Sequence, residues 1–150
     1  MSAPAWLLDV GGGCRAAVGL RQQVHLMHDP EVAAVPASPW HCTQVVFFGG
    51  RCVPVFDIGR WLGRDDAAGS RRYLGIYAFA AGPGHAPGFG ALWLQAAPKR
   101  ITVDDRQACP LPDQCTERWA SIAHSCFADD SGAVPVLDLH RMFASALAVT

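Results

Sequence analysis

The sequence predicts an all-β protein built as two small packed barrels related by duplication. Three observations predict it. Short apolar runs, each closed by glycine or proline, follow one another along most of the chain, which is the pattern of strands joined by turns. A ten-residue stretch is echoed: Val53-Pro54-Val55-Phe56-Asp57-Ile58-Gly59-Arg60-Trp61-Leu62 reads again as Val134-Pro135-Val136-Leu137-Asp138-Leu139-His140-Arg141-Met142-Phe143. The 150 residues are 51% hydrophobic and 17% charged, which is enough apolar surface for a core and the size of one domain.

The elements follow in order. Trp6 to Val10 is a strand closed by Gly11-Gly12-Gly13, and Cys14 to Leu20 is the returning strand of that hairpin. Arg21 to His28 is a short helical or extended connector stopped before Pro30. Val32 to Trp40 holds Pro36 and Pro39 and reads as a loop or irregular edge. Gln44 to Phe48 is a strand, Gly49-Gly50 a hairpin turn, and Arg51 to Ile58 the partner strand. Gly59 to Gly63 fits one helical turn. Arg64 to Arg72, charged and small, is an exposed linker near the middle of the chain.

The second half repeats the scheme. Arg72 to Ala80 is a strand, 82–88 a wide glycine-rich loop, and Phe89 to Gln95 the return. Pro98 to Asp113 is mixed, with Ile101 and Val103 extended. Trp119 to Phe127 is a strand, Asp129-Asp130-Ser131-Gly132 a turn, Ala133 to Leu139 the last strand, and Arg141 to Val149 an alanine-rich helix. The echo places each proline on a strand edge, since proline has no N–H for the ladder. It places Asp57 and Asp138 where a carboxylate caps the free N–H groups of a helical turn. These two aspartates are therefore expected as caps rather than catalytic acids. The chain is expected to form one domain over 1–150, with subdomains of about 15–70 and 71–150 and the N-terminal strand shared between the barrels.

Charge and patterning exclude several classes. A net charge of −1 gives no footprint for a phosphate backbone, so nucleic acid is not expected as a partner. No run approaches the roughly 18 apolar residues of a spanning helix. The first residues lack a basic segment, and Asp9 breaks their short apolar run, so no secretory signal is read there and a cytoplasmic location is expected. The cysteines at 14, 42, 52, 109, 115 and 126 are then expected as buried small hydrophobes or free thiols.

With the early Pro39, the turn glycine Gly50, the strand Val53-Pro54-Val55-Phe56-Asp57-Ile58 and the closing strand and helix from Val134 to Leu147, the chain resembles the CheW-like adaptor family of bacterial chemosensory arrays. The resemblance covers nearly the whole chain. It implies two packed, five-stranded SH3-like barrels with short connecting helices. It also implies a non-enzymatic scaffold that binds the regulatory domain of a CheA-type histidine kinase and the cytoplasmic tip of chemoreceptors, without cofactor or membrane insertion. The chain departs from the pattern where the family's arginine before the turn glycine falls on Gly49; Arg51 lies two residues on. That divergence suggests an auxiliary adaptor, of a type IV pilus (twitching-motility) system rather than a flagellar one. The working surface is expected at Val45, Phe47, Phe48, Gly49, Gly50 and Arg51. The alternative is a small β-barrel ligand- or metal-binding protein that shares only the architecture.

Other chemistry is weaker. His124-Ser125-Cys126 sets a base beside nucleophiles, but strand neighbours point to opposite faces. Cys109, Cys115, His124 and Cys126 have looser spacing than zinc sites favour, and His25/His28 and His41-Cys42 are looser still. No metal ligand or catalytic residue is assigned. The glycine clusters lack the Lys-Ser/Thr of a phosphate loop. The pairs Asp65-Asp66, Asp104-Asp105 and Asp129-Asp130 read as solvated loop charge. Of the tryptophans, Trp6, Trp93 and Trp119 are expected in strands and in the core. Trp40 and Trp61 are expected mainly to pack, with an interface role as the other reading.

Overall fold

The structure, a computed structural model, describes residues 2–38, 40, 42–63 and 72–147. Eleven strands form two sheets. The first has the order β10-β11-β2-β1-β9, with β1 Ser2–Gly11, β2 Cys14–Gly19, β9 Lys99–Asp104, β10 Ala123–Asp129 and β11 Gly132–Leu137. The second has the order β3-β7-β8-β6-β5-β4, with β3 Gln23–His28, β4 Ala33–Ala34, β5 Gln44–Phe48, β6 Arg51–Phe56, β7 Tyr73–Phe79 and β8 Gly88–Leu94. Five substantial strands thus make each barrel, and β4 adds only the pairs Ala33–Val45 and Ala34–Gln44. Among the described residues there are three short α-helices: α1 Ile58–Trp61, α2 Thr116–Ala120 and α3 Leu139–Leu147.

Sheet membership does not follow the division at residues 70 and 71. β7 and β8 pair with β3 and β6, so one barrel takes residues 23–94 and the other is made of chain from both ends. The cause is the parallel pairing of β6 with β8 at Val55–Ala91 and of β11 with β2 at Val136–Ala17. Val55 and Val136 are equivalent residues of the echo. Parallel partners lie far apart in sequence, and no turn signal announces them. Pro54 and Pro135 consequently lie on interior strands rather than edges. Each is tolerated because the short parallel ladder is registered only from the next residue, Val55 or Val136.

Three apolar clusters fill the molecule. Val46, Val53, Val55, Leu74, Ile76 and Ala91 fill the barrel of 23–94. Ala17, Phe127 and Val134, with Leu7, Ile101 and Val103 against them, fill the other. The largest cluster lies between the barrels and joins Leu8, Val10 and Val18 to Phe56, Leu92, Leu94 and Phe143. Strands such as β1, β7 and β8 are therefore buried on both faces.

The echoed aspartates are caps, as expected. Asp57 Oδ1 accepts from the backbone N–H of Arg60 at 3.1 Å, and Asp138 Oδ1 from that of Arg141 at 3.1 Å. Each helix so started packs on the opposite barrel: α1 on β1, and α3 on β6, β7 and β8. Gly90 on β8 admits α3, because a Cβ there would overlap the Phe143 ring.

Two elements differ from the sequence expectation. The strand expected from Trp119 is a helix, α2, followed by β10 from Ala123. Trp119 and Ile122 are both 3% exposed, at the three-residue spacing of one helical face. The connector at 21–28 is a short 3-10 turn, Leu20–Gln22, and then the edge strand β3, whose alternation is masked by an irregularity between Gln23 and His25. The linker of 64–71, Pro39 and His41 lie outside the described residues.

Candidate functional site

The β5–β6 hairpin is the site the sequence singled out. Gly49 and Gly50 have φ of 57° and 75° and link Phe48 directly to Arg51. Two consecutive positive φ values between strands make the type I′ turn that matches strand twist, and this requirement explains the glycine pair. The register Phe48–Arg51, Phe47–Cys52, Val46–Val53, Val45–Pro54 then follows without slack.

That register divides the six predicted residues. Val46 is buried in the barrel and, two residues on, Phe48 turns to the same side, its ring stacked on His25 at 5.3 Å. Phe47 and Val45 face outward, and Phe47 is 70% exposed, the most exposed large apolar side chain described. Their cross-strand partners Cys52 and Pro54 share this outer face, since opposed residues of a pair point the same way. Sequence reasoning missed those two; period-two counting from Phe47 across the glycine turn would have found them. Arg51 folds back, its guanidinium 4.9 Å from the centre of the Phe89 ring on β8. It supplies a positive charge near the hairpin tip rather than on the Phe47 face.

Beside the hairpin runs a groove of about 570 Å³ between β3 and β5, lined by His25, Met27, His28, Glu31, Val46 and Phe47 among others. A second cavity, about 180 Å³, lies where Cys14, Arg15, Leu62, Cys115 and Trp119 meet. Small-molecule pockets are usually roughly 300–1,000 Å³, so this cavity is below that class.

The tryptophans separate into two groups. Trp6 and Trp93 are half-buried in strands, their Nε1–H groups donating to Leu20 O (3.1 Å) and Gln44 Oε1 (2.9 Å). Trp119 is buried, in α2 rather than a strand. Trp40 is 46% exposed and stacks on Trp61 at 5.8 Å, with the Arg118 guanidinium 5.2 Å and 5.0 Å from the two rings. Trp61 Nε1 donates to Arg118 O and Arg118 Nη1 to Trp61 O, at 3.0 and 3.1 Å. The cluster pins α1 to α2.

The looser chemical groupings come apart. Of the four considered for zinc, Cys109 and Cys126 meet, with Sγ atoms 3.5 Å apart. Cys115 donates instead to Leu62 O at 3.3 Å, and His124 is exposed. Among the described residues, no three His, Cys, Asp or Glu side chains gather as metal ligands would. His124 and Ser125 do not take opposite faces as strand neighbours should. A bulge between Ala123 and Ser125 leaves both exposed, while Cys126 is buried.

No protein-family profile matches the chain, and no curated protein matches it. Among solved structures, it is similar to the scaffolding protein TtCheW from Thermoanaerobacter tengcongensis. The match has a TM-score of 0.75 and 16% identity, and it covers 95% of this chain and 88% of that one. The chain has the CheW-like fold. Among the described residues of this CheW-like chain, no helix is long and apolar enough to cross a membrane.

Proposed function

We propose that residues 1–150 act as a CheW-like adaptor, a non-enzymatic scaffold that couples chemoreceptors to a CheA-type histidine kinase. The observation that carries the reading is Phe47, 70% exposed beside Val45 on a hairpin fixed by a two-glycine turn. A large apolar side chain exposed on a strand of fixed register is the makings of an interface anchor. Val45 and Phe47 contact the kinase's regulatory domain. Phe48 braces the strand from inside, Gly49 and Gly50 set the register, and Arg51 offers a rim charge to the receptor tip. Such an adaptor works in the cytoplasm as part of a two-component pathway. The missing arginine at Gly49 favours an auxiliary system, of the twitching-motility (type IV pilus) kind.

The test is calorimetric titration against the regulatory domain of the host's CheA-type kinase, and separately against a receptor-tip fragment. Micromolar binding to the kinase is expected. Phe47→Glu should weaken it at least about tenfold, as loss of a central apolar anchor does, with an unchanged circular dichroism spectrum. Silence toward both partners, or wild-type affinity in the folded variant, overturns the reading.

A further inference from the structure

The barrel made from both chain ends closes at one place. β9 and β10 are the two edges of its sheet, and the chain just past β9 returns along β10 through the antiparallel bridge of Ala108 with Phe127. Little else holds this seam among the described residues. The Cys109 N–H donates to Cys126 O at 3.0 Å, and Gln107 Nε2 donates to Ala128 O at 3.0 Å.

The residue next to the bridge is a cysteine on both sides. With 108 opposite 127, Cys109 stands opposite Cys126, and Cys109 Sγ donates to Cys126 Sγ at 3.5 Å. Opposed residues of an antiparallel pair have Cα atoms about 4.5–5.5 Å apart, inside the roughly 4.4–6.8 Å that a disulfide spans. A small side-chain rotation therefore converts contact to bond without moving the backbone. Both thiols are free in the structure.

We infer that Cys109 and Cys126 are an oxidisable dithiol, a modification site at which a peroxide closes a disulfide across the barrel seam. The two sulfurs have different parts. Cys126 is buried, and burial, with the Cys109 thiol beside it, pushes its pKa up to about 12, so it stays protonated near neutral pH. Cys109 is only half-buried and is the more exposed residue of the two. Cys109, as thiolate, attacks the peroxide O–O bond; the far oxygen leaves with a proton as water, or as an alcohol from an alkyl peroxide. The resulting Cys109 sulfenic acid is attacked by Cys126 Sγ, the S–S bond forms, and the sulfenic oxygen leaves as water with the Cys126 proton. Two thiols lose two electrons in all and the peroxide gains them. A small dithiol reverses the step by exchange.

The bond joins residues 17 apart and adds a covalent staple to a seam held by that bridge and the two hydrogen bonds beside it. Cross-linking over such a loop constrains the unfolded chain, and Tm should rise by roughly 6–12 °C. The test treats the reduced 150-residue chain with hydrogen peroxide at neutral pH. Intact mass should fall by two hydrogens, peptide mapping without reductant should join Cys109 to Cys126, and dithiothreitol should reverse both mass and Tm. Cys126→Ser should instead gain one oxygen at Cys109. Peptide mapping of the wild type needs no variant to fold. Oxygen added to Cys109 of the wild type with no cross-link, or a cross-link between other cysteines, overturns the inference.

Discussion

Asp57 and Asp138 do one job twice. Each accepts a backbone N–H three residues on, at the start of a helix that the echo repeats. Removing such a cap costs about 1 kcal/mol, and asparagine replaces it almost fully. Asp57→Ala and Asp138→Ala should therefore each lower the unfolding free energy by about that amount in urea titration, with most of it regained in the asparagine variants. Gly90 is a steric position. A methyl group there overlaps Phe143, so Gly90→Ala should cost about 1–3 kcal/mol. If the clash is the cause, Phe143→Leu combined with it should cost less than the sum of the two single changes. These residues were legible to different degrees. The caps were readable because a carboxylate before a helical turn has one common use. Gly90 gave no sign of its role within the expected strand, because nothing local shows that a residue more than fifty positions away packs on it.

At the scale of the element, the β5–β6 hairpin was legible and α2 was not. The hairpin announces itself by two glycines between apolar runs; β5 has the expected bounds, and β6 stops at Phe56, short of the expected Ile58, because Asp57 starts α1. α2 is a single helical turn whose one buried residue is Trp119, with Ile122 just past its end, too short a pattern to outweigh the β-forming residues that follow. The hairpin also bears on the arginine that the family pattern places at Gly49. The φ of +57° there is left-handed backbone, which costs a residue with a side chain roughly 1–2 kcal/mol. Gly49→Arg should therefore lower stability by about that amount, read as a shifted denaturation midpoint at unchanged slope. An unchanged midpoint would show that the turn relaxes to accept it. Which face of the hairpin is outward was harder to read, because Val45 to Phe48 are all apolar and only pairing tells Phe47 from Val46.

Across the whole molecule, the ion pair of Arg15 with Asp129 ties β2 to the end of β10. Its two hydrogen bonds are 2.6 and 2.8 Å. The Arg15 guanidinium, helped by the Ser131 N–H, holds the Asp129 carboxyl below the usual carboxylate range. A carboxyl depressed by folding stabilises at pH above the unfolded value of about 4, and that stabilisation is lost as pH falls through the lower folded value. Wild type should therefore exceed Asp129→Asn in stability at pH 7, and the difference should shrink toward zero as the pH drops well below about 4. Both side chains are partly exposed, so added salt should reduce the difference as well. Chain-level topology was the least legible part of the fold. Strand existence follows from local composition, whereas the assignment of β7 and β8 rests on the parallel pairing at Val55 with Ala91. That arrangement has a consequence during synthesis. Every strand of the 23–94 barrel emerges from a ribosome before β9, so that barrel can fold while translation continues. The first hairpin must wait, its Leu8, Val10 and Val18 needing a surface that is finished only when the last strand and α3 are released. The β1–β2 hairpin, made before that barrel, is thus covered after it, and for that interval the nascent chain offers chaperones an exposed apolar hairpin.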